Sequence, residues 1–370
     1  MARPVRGRCR DAATMAEGSA HARIAALVRR LATGGSAAEQ ADAAHVLAYL
    51  CADNTQNQDS VRECGGVAAL VGLLVPGGSP AVHKQAAAAL HKLCIHNGQN
   101  QDSVRECGGV VALVRLLAPG GPAAVQEEAA AVLCHLCLGN ANNRDSVRAC
   151  GGITALVGLL APSGSAAMQW EAAGALCNLC FENIQNKDSV RECGGVAALV
   201  GLLAPGGPAG VHAEAAAALQ NLCSDNAQNT DCVRWCGGIA ALVRLLAPGG
   251  PADLHETAAG ALCNLCAEDE QNRDIVRECG GVAALVGLLA PGGSAALHRS
   301  AAGALDSLTS ESAQSRDAVR ACGGGAALKR VLASASLGEQ NYRLAHEWAA
   351  AVLHNLAPAQ QDVAELDQPD

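Results

Sequence analysis

Between Gln185 and Cys223 the chain passes through three kinds of segment. A short polar run, Gln185 to Cys193, ends in Cys-Gly-Gly; Val196 to Ala204 is apolar at Val196, Leu199, Val200, Leu202 and Leu203; Ala209 to Cys223 carries Val211, Ala215, Ala218, Leu219 and Leu222 along one side. That spacing predicts three helices, the third the longest, with its small alanines allowing close approach by neighbours. Gly194 and Gly195 are both expected to take the φ > 0 geometry that turns the first helix into the second. Pro205-Gly206-Gly207 stops the second helix. The Cys-Gly-Gly step recurs at Cys64, Cys107, Cys150, Cys193, Cys236, Cys279 and Cys322, always 43 residues apart. A period of that length, in which no unit covers its own apolar face, predicts stacked helical repeats.

Gln-Asn-Xaa-Asp in the first helix, Gly-Gly-Val-Ala-Ala-Leu-Val at the second and Ala-Leu-Cys-Asn-Leu near the end of the third together resemble the armadillo repeat. HEAT units have two helices. The resemblance covers nearly the whole chain and implies an all-α, right-handed α-α superhelix of about eight three-helix repeats. On that basis the chain divides into a basic disordered arm at 1–11, an N-terminal capping repeat at 12–53, six repeats at 54–311, a C-terminal capping repeat at 312–357 and an acidic tail at 358–370. Repeat 1 matches from Ile24, without a recognisable first helix; repeats 2 to 7 begin near Asn54, Asn97, Asn140, Asn183, Asn226 and Asp269. The last repeat carries five extra residues near Ser334 to Gln340, and Tyr342 and Trp348 are expected to seal its exposed end.

In armadillo proteins an Asn on the third helix holds the backbone of an extended peptide. The matching positions are Tyr49, Lys92, His135, Asn178, Asn221, Asn264, Ser307 and Asn355. Asn suits the role because its amide both donates and accepts. Repeats 4 to 6 keep it without a break. One turn earlier the family places Trp; here His45, Ala88, Ala131, Gly174, Ala217, Gly260, Gly303 and Ala351 stand instead, which speaks against an importin-α-like nuclear import receptor, the second reading. A turn further back Glu128, Glu171 and Glu214 make the middle of the face acidic, with Trp170 a candidate anchor. The expected function is a scaffold or adaptor binding extended, basic or mixed-charge peptide segments of partner proteins.

The net charge of −9 argues against a general nucleic-acid binder, and no apolar run approaches the ~20 residues of a membrane span. Only 2% of residues are aromatic, so the core must be Ala, Leu, Val and Cys distributed along the array. The eighteen cysteines occupy repeat positions with no signal peptide before them, so they read as reduced core residues of a cytoplasmic, possibly also nuclear, monomer. Equivalent cysteines one repeat apart stand ~8–10 Å from each other, beyond the ~7 Å that a disulfide spans. The pairs Cys134/Cys137, Cys177/Cys180 and Cys263/Cys266 raise a metal or redox protein as the reading from another class, but their second cysteine is a core position in most repeats. With no surviving catalytic spacing and no phosphate-loop Lys-Ser/Thr, no enzyme, cofactor or metal is expected. Asp and Arg three residues apart in each first helix, as Asp188 and Arg191, read as solvated ion pairs.

Overall fold

The computed structural model describes residues 7–32, 35–333 and 340–357, and among them the secondary structure is helical without strands. The acidic tail, residues 334–339 of the insertion and residues 1–6 of the arm lie outside the described residues. The chain forms two compact units, residues 1–198 and 199–370. Both are armadillo-type arrays in which consecutive third helices pack side by side. Each full repeat supplies helix 1 of nine residues, helix 2 of seven to ten and helix 3 of fifteen or sixteen. In repeat 3 these are Gly98–Glu106, Gly109–Leu116 and Ala123–Cys137; in repeat 4, Ala141–Ala149, Gly152–Leu159 and Ala166–Cys180.

In the first unit repeat 1 departs from the rule. One helix, Gly7–Ala32, runs through the place of helices 1 and 2 and takes in residues 7–11, which the sequence assigns to the arm. Ile24, Leu27, Val28 and Leu31 of that helix are buried, so its second half fills the core position of helix 2.

Helix 1 starts where an Asn, Asp or Ser side chain accepts the N–H three residues on: Asn54, Asn97, Asn140, Asn183, Asn226, Asp269 and Ser312 are all N-caps of this kind. It ends at the Cys of Cys-Gly-Gly. Only the first glycine is left-handed, with φ 76° at Gly151. The second, Gly152, has no room: a Cβ there would lie 2.5 Å from Val147 Cγ1 and 2.8 Å from the Val147 carbonyl oxygen. The Gly-Gly pair therefore combines one turn residue with one close contact, whereas the sequence suggested two turn residues.

Helix 3 is anchored at its start to the loop before it. The Nε2 atoms of His83, His212, His255 and His298 lie 2.9–3.1 Å from the carbonyl oxygens of Val75, Ala204, Ala247 and Ala290. In repeats 3 and 4, Gln126 and Gln169 make the same bond to Ala118 and Ala161 at 2.8 and 2.9 Å. A Gln amide there donates N–H, which assigns the Nε2–H tautomer to the histidines and makes them structural donors. His212→Gln should leave the chemical denaturation midpoint near wild type, whereas His212→Leu, which strands the loop carbonyl, should cost about 1–3 kcal/mol. Equal midpoints for the two variants would remove the anchor.

Candidate functional site

The last four carbonyls of a helix have no partner within it, and helix 3 of repeat 3 shows how the array supplies them. Asn178 Nδ2 of repeat 4 donates to Cys134 O at 3.0 Å, and Gln101 Nε2 donates to His135 O at 2.9 Å. Asn143 Nδ2 donates to Leu136 O at 2.9 Å, and the Asn140 N–H and Arg144 Nη1 both reach Cys137 O at 3.4 Å. Asn143 is fully buried, and its Oδ1 accepts from Arg105 Nη1 at 2.9 Å. Asn100, Asn186, Asn229 and Asn272 are buried at the same register. These helix-1 asparagines were missed in the sequence. Their signal was the Gln-Asn of the repeat motif, an uncharged polar residue recurring where a helix this short has little else to bury.

The Asp–Arg pairs, read as solvated ion pairs, keep partly exposed carboxylates and also reach the next repeat. Arg105 bonds both Asp102 and Asn143 of the next repeat, and Asn140 Nδ2 donates to Asp102 at 3.1 Å. Asn140 above all, then Arg105, holds the Asp102 carboxyl below its ordinary range; Asn183 does the same for Asp145, and Arg62 for Asp59. Such groups bind protons less readily in the folded than in the unfolded chain, so their stabilisation is complete above the ordinary aspartate value of 3.8 and is lost as pH falls through the depressed folded value. Denaturation midpoints should therefore fall below pH 3.8, and less steeply in Asp102→Asn and Asp145→Asn. Wild-type and variant curves of the same slope would exclude this origin.

The Asn row assigned to a ligand is engaged in the fold where its contacts are defined. Besides Asn178, Asn264 Nδ2 donates to Gln220 O at 2.9 Å, and Asn355 Nδ2 to Asp306 Oδ1 at 3.1 Å and Thr309 Oγ1 at 3.2 Å. Asn221 is half-buried at the same register, and Ser307 Oγ lies 3.5 Å from Cys263 Sγ. One amide N–H in each defined Asn thus serves a neighbouring helix 3. In repeats 1 to 3 the row changes character. Tyr49 is 79% exposed, Lys92 is half-buried, and His135 Nδ1 lies 3.0 Å from its own Ala131 carbonyl oxygen, with burial holding the His135 pKa down.

Within the first unit, helix 3 of repeats 1 to 4 lines an open cleft of about 530 Å³. Tyr49, Lys84, Lys92, Glu127, Glu128 and Glu171 border it, with Ala88 and Ala131 among its lining residues. Trp170, next to Glu171, is 43% exposed. In the second unit the position of the family's Trp is occupied in another way. A Cβ on Gly260 would lie 2.6–2.8 Å from the Gln220 amide, and one on Gly303 would lie 3.9 Å from the Trp348 ring. Trp348 thus packs against repeat 7 and stays 38% exposed. Glu214 is half-buried, and that burial, with Asp253 adding to it, raises its pKa.

Two sets of repeated cysteines differ in burial. Cys51, Cys94, Cys137, Cys180 and Cys266 at the end of helix 3 are buried, and burial pushes the Cys51, Cys94 and Cys137 thiols up to about 12. Those of Cys-Gly-Gly are not core residues as the sequence suggested. Cys107, Cys193, Cys279 and Cys322 are exposed, because the Cys caps the C-terminus of helix 1 at the surface. Among the described residues no three His, Cys, Asp or Glu side chains are grouped to hold a metal ion, and no helix is long and apolar enough to cross a membrane.

No curated protein matches the chain. Among solved structures, an engineered protein of the Northeast Structural Genomics Consortium is 29% identical, with 90% of this chain and 78% of that one covered and a TM-score of 0.79. A designed armadillo repeat protein in complex with the peptide (KR)4 is 22% identical over 65% of this chain and 99% of its own, with a TM-score of 0.58, a likeness of fold. The Armadillo/beta-catenin-like repeat matches residues 54–95, 99–138, 140–181, 183–224 and 226–267, more than half of the sequence. The chain belongs to the armadillo repeat family.

Proposed function

We propose that the protein is a non-enzymatic scaffold that binds extended peptide segments of partner proteins along its third helices. The observation that carries this is the open cleft of about 530 Å³ on helix 3 of repeats 1 to 4, lined by half-buried charged side chains and an exposed Tyr49. Support from the fold comes from the designed relative that holds a peptide. A nuclear import receptor fits less well, because Gln220 lies where a residue-260 indole would start. A monomer in a reducing, cytoplasmic compartment accords with the exposed Cys-Gly-Gly thiols. No nucleic-acid or membrane partner is proposed.

The test is selection from an unbiased library of linear peptides, followed by hydrogen exchange on the complexes. Enriched peptides that protect the third helices support the scaffold. No enrichment at a Kd tighter than about 1 mM, or protection confined to the first helices, would overturn it.

A further inference from the structure

The cleft of the first unit is electrically divided. Lys84 and Lys92 stand on helix 3 of repeat 2, Pro80–Cys94, and no carboxylate lies within 4.0 Å of either ammonium among the described residues. On helix 3 of repeat 3 Glu127 likewise has no basic partner, and Glu128 comes only within 3.9 Å of His91 Nδ1. Glu171 of repeat 4 extends the acidic side. Lys84 and Glu127 occupy the same register one repeat apart, as Glu256 and Arg299 do, but whereas that pair meets at 3.5 Å, Lys84 and Glu127 form no ion pair within 4.0 Å. Lys84, Lys92 and Glu127 are half-buried, so part of their hydration is lost, and no ion pair within 4.0 Å returns it. The lining alanines Ala88 and Ala131 leave room for a backbone between the two charges.

We propose that this cleft takes a bipolar segment: an extended peptide whose acidic residue pairs with Lys84 and Lys92 and whose basic residue pairs with Glu127, Glu128 and Glu171. Resting on the scaffold reading above, it specifies the partner's chemistry. At ~3.3 Å per extended residue and ~10 Å per repeat, the two charges lie about three to six residues apart in the ligand. Tyr49, at the end of the row beyond Lys92, offers a flat apolar face to a residue flanking the acidic one.

The probes are fluorescein-labelled Glu-Glu-Gly-Ser-Gly-Lys-Lys, its reversed sequence, and two analogues in which either the glutamates or the lysines become Gln, titrated against the full chain by fluorescence anisotropy. One of the two charged orders should bind at least about tenfold tighter than both analogues, and the advantage should shrink with salt. Lys84→Glu/Lys92→Glu should abolish the contribution of the peptide's glutamates while keeping that of its lysines, and Glu127→Lys/Glu128→Lys should do the reverse. Both pairs are half-exposed, and an unchanged thermal midpoint shows that the fold is kept. Equal binding of the charged peptides and their analogues, or indifference to both double variants, would overturn the bipolar cleft. If the library of the preceding section yields helix-3 binders while these peptides fail, the scaffold stands and the bipolar cleft falls; if neither binds, both fall.

Discussion

Asn143→Ala should lose about 3 kcal/mol of stability, although the residue lies in a polar nine-residue helix and touches no ligand surface. Two bonds are lost at once. Leu136 O loses the donor at 2.9 Å that completes the end of helix 3, and Arg105 loses an acceptor at 2.9 Å. The buried carbonyl left unpaired costs about 1–3 kcal/mol, and Arg105, which keeps Asp102, adds about 1 kcal/mol for its lost bond. The loss falls on the joint between repeats 3 and 4, so an array held by nearest neighbours should open there first. Native-state hydrogen exchange should show faster exchange in Gly98–Glu106 and Ala123–Cys137 before the rest of the first unit. Asn142→Ala, at the exposed neighbouring position, is the control. A denaturation midpoint shift no larger than that of the control would remove Asn143 from the network.

The period, the three helices and their ends were legible in the sequence because they depend on local chemistry: an Asn that caps, a Pro-Gly-Gly that stops, apolar residues at helical spacing. What was not legible depends on which neighbour a side chain meets. A repeated polar residue reads alike on a surface and in a capping site, so Asn143 passed unnoticed while Asn178, two helices on, was assigned to a ligand. Cysteine's residue type suggested burial in Cys-Gly-Gly, but its place at the end of a helix decides exposure. Of the candidate site, the row itself and its acidic middle were visible. Its division into amides that cap a neighbouring helix, around Asn178, and side chains that face a cleft, around Lys92, needed the geometry.

The two glycines of Cys150-Gly151-Gly152 should behave differently when each becomes Ala, and the second should be the costlier. Gly151 has φ 76° with nothing within 4 Å of a Cβ, so Ala there meets only backbone strain, about 1–2 kcal/mol. Asn, which tolerates the left-handed region, should cost less still. At Gly152 the backbone is ordinary and the space is taken: Val147 Cγ1 at 2.5 Å, Val147 O at 2.8 Å, and Val114 Cγ2 from the preceding repeat at 3.1 Å. A methyl group must push helices 1 and 2 of repeat 4 apart and press on helix 2 of repeat 3, a cost of about 3 kcal/mol or more. Adding Val147→Ala removes the nearest atom but leaves the carbonyl oxygen, so the double variant should recover only part of what the clash costs, net of the cavity that Val147→Ala itself opens. Urea denaturation of the four proteins, Gly151→Ala, Gly151→Asn, Gly152→Ala and the double variant, measures this order. If Gly151→Ala proved the more damaging, the turn rather than the contact would be what the Gly-Gly pair serves.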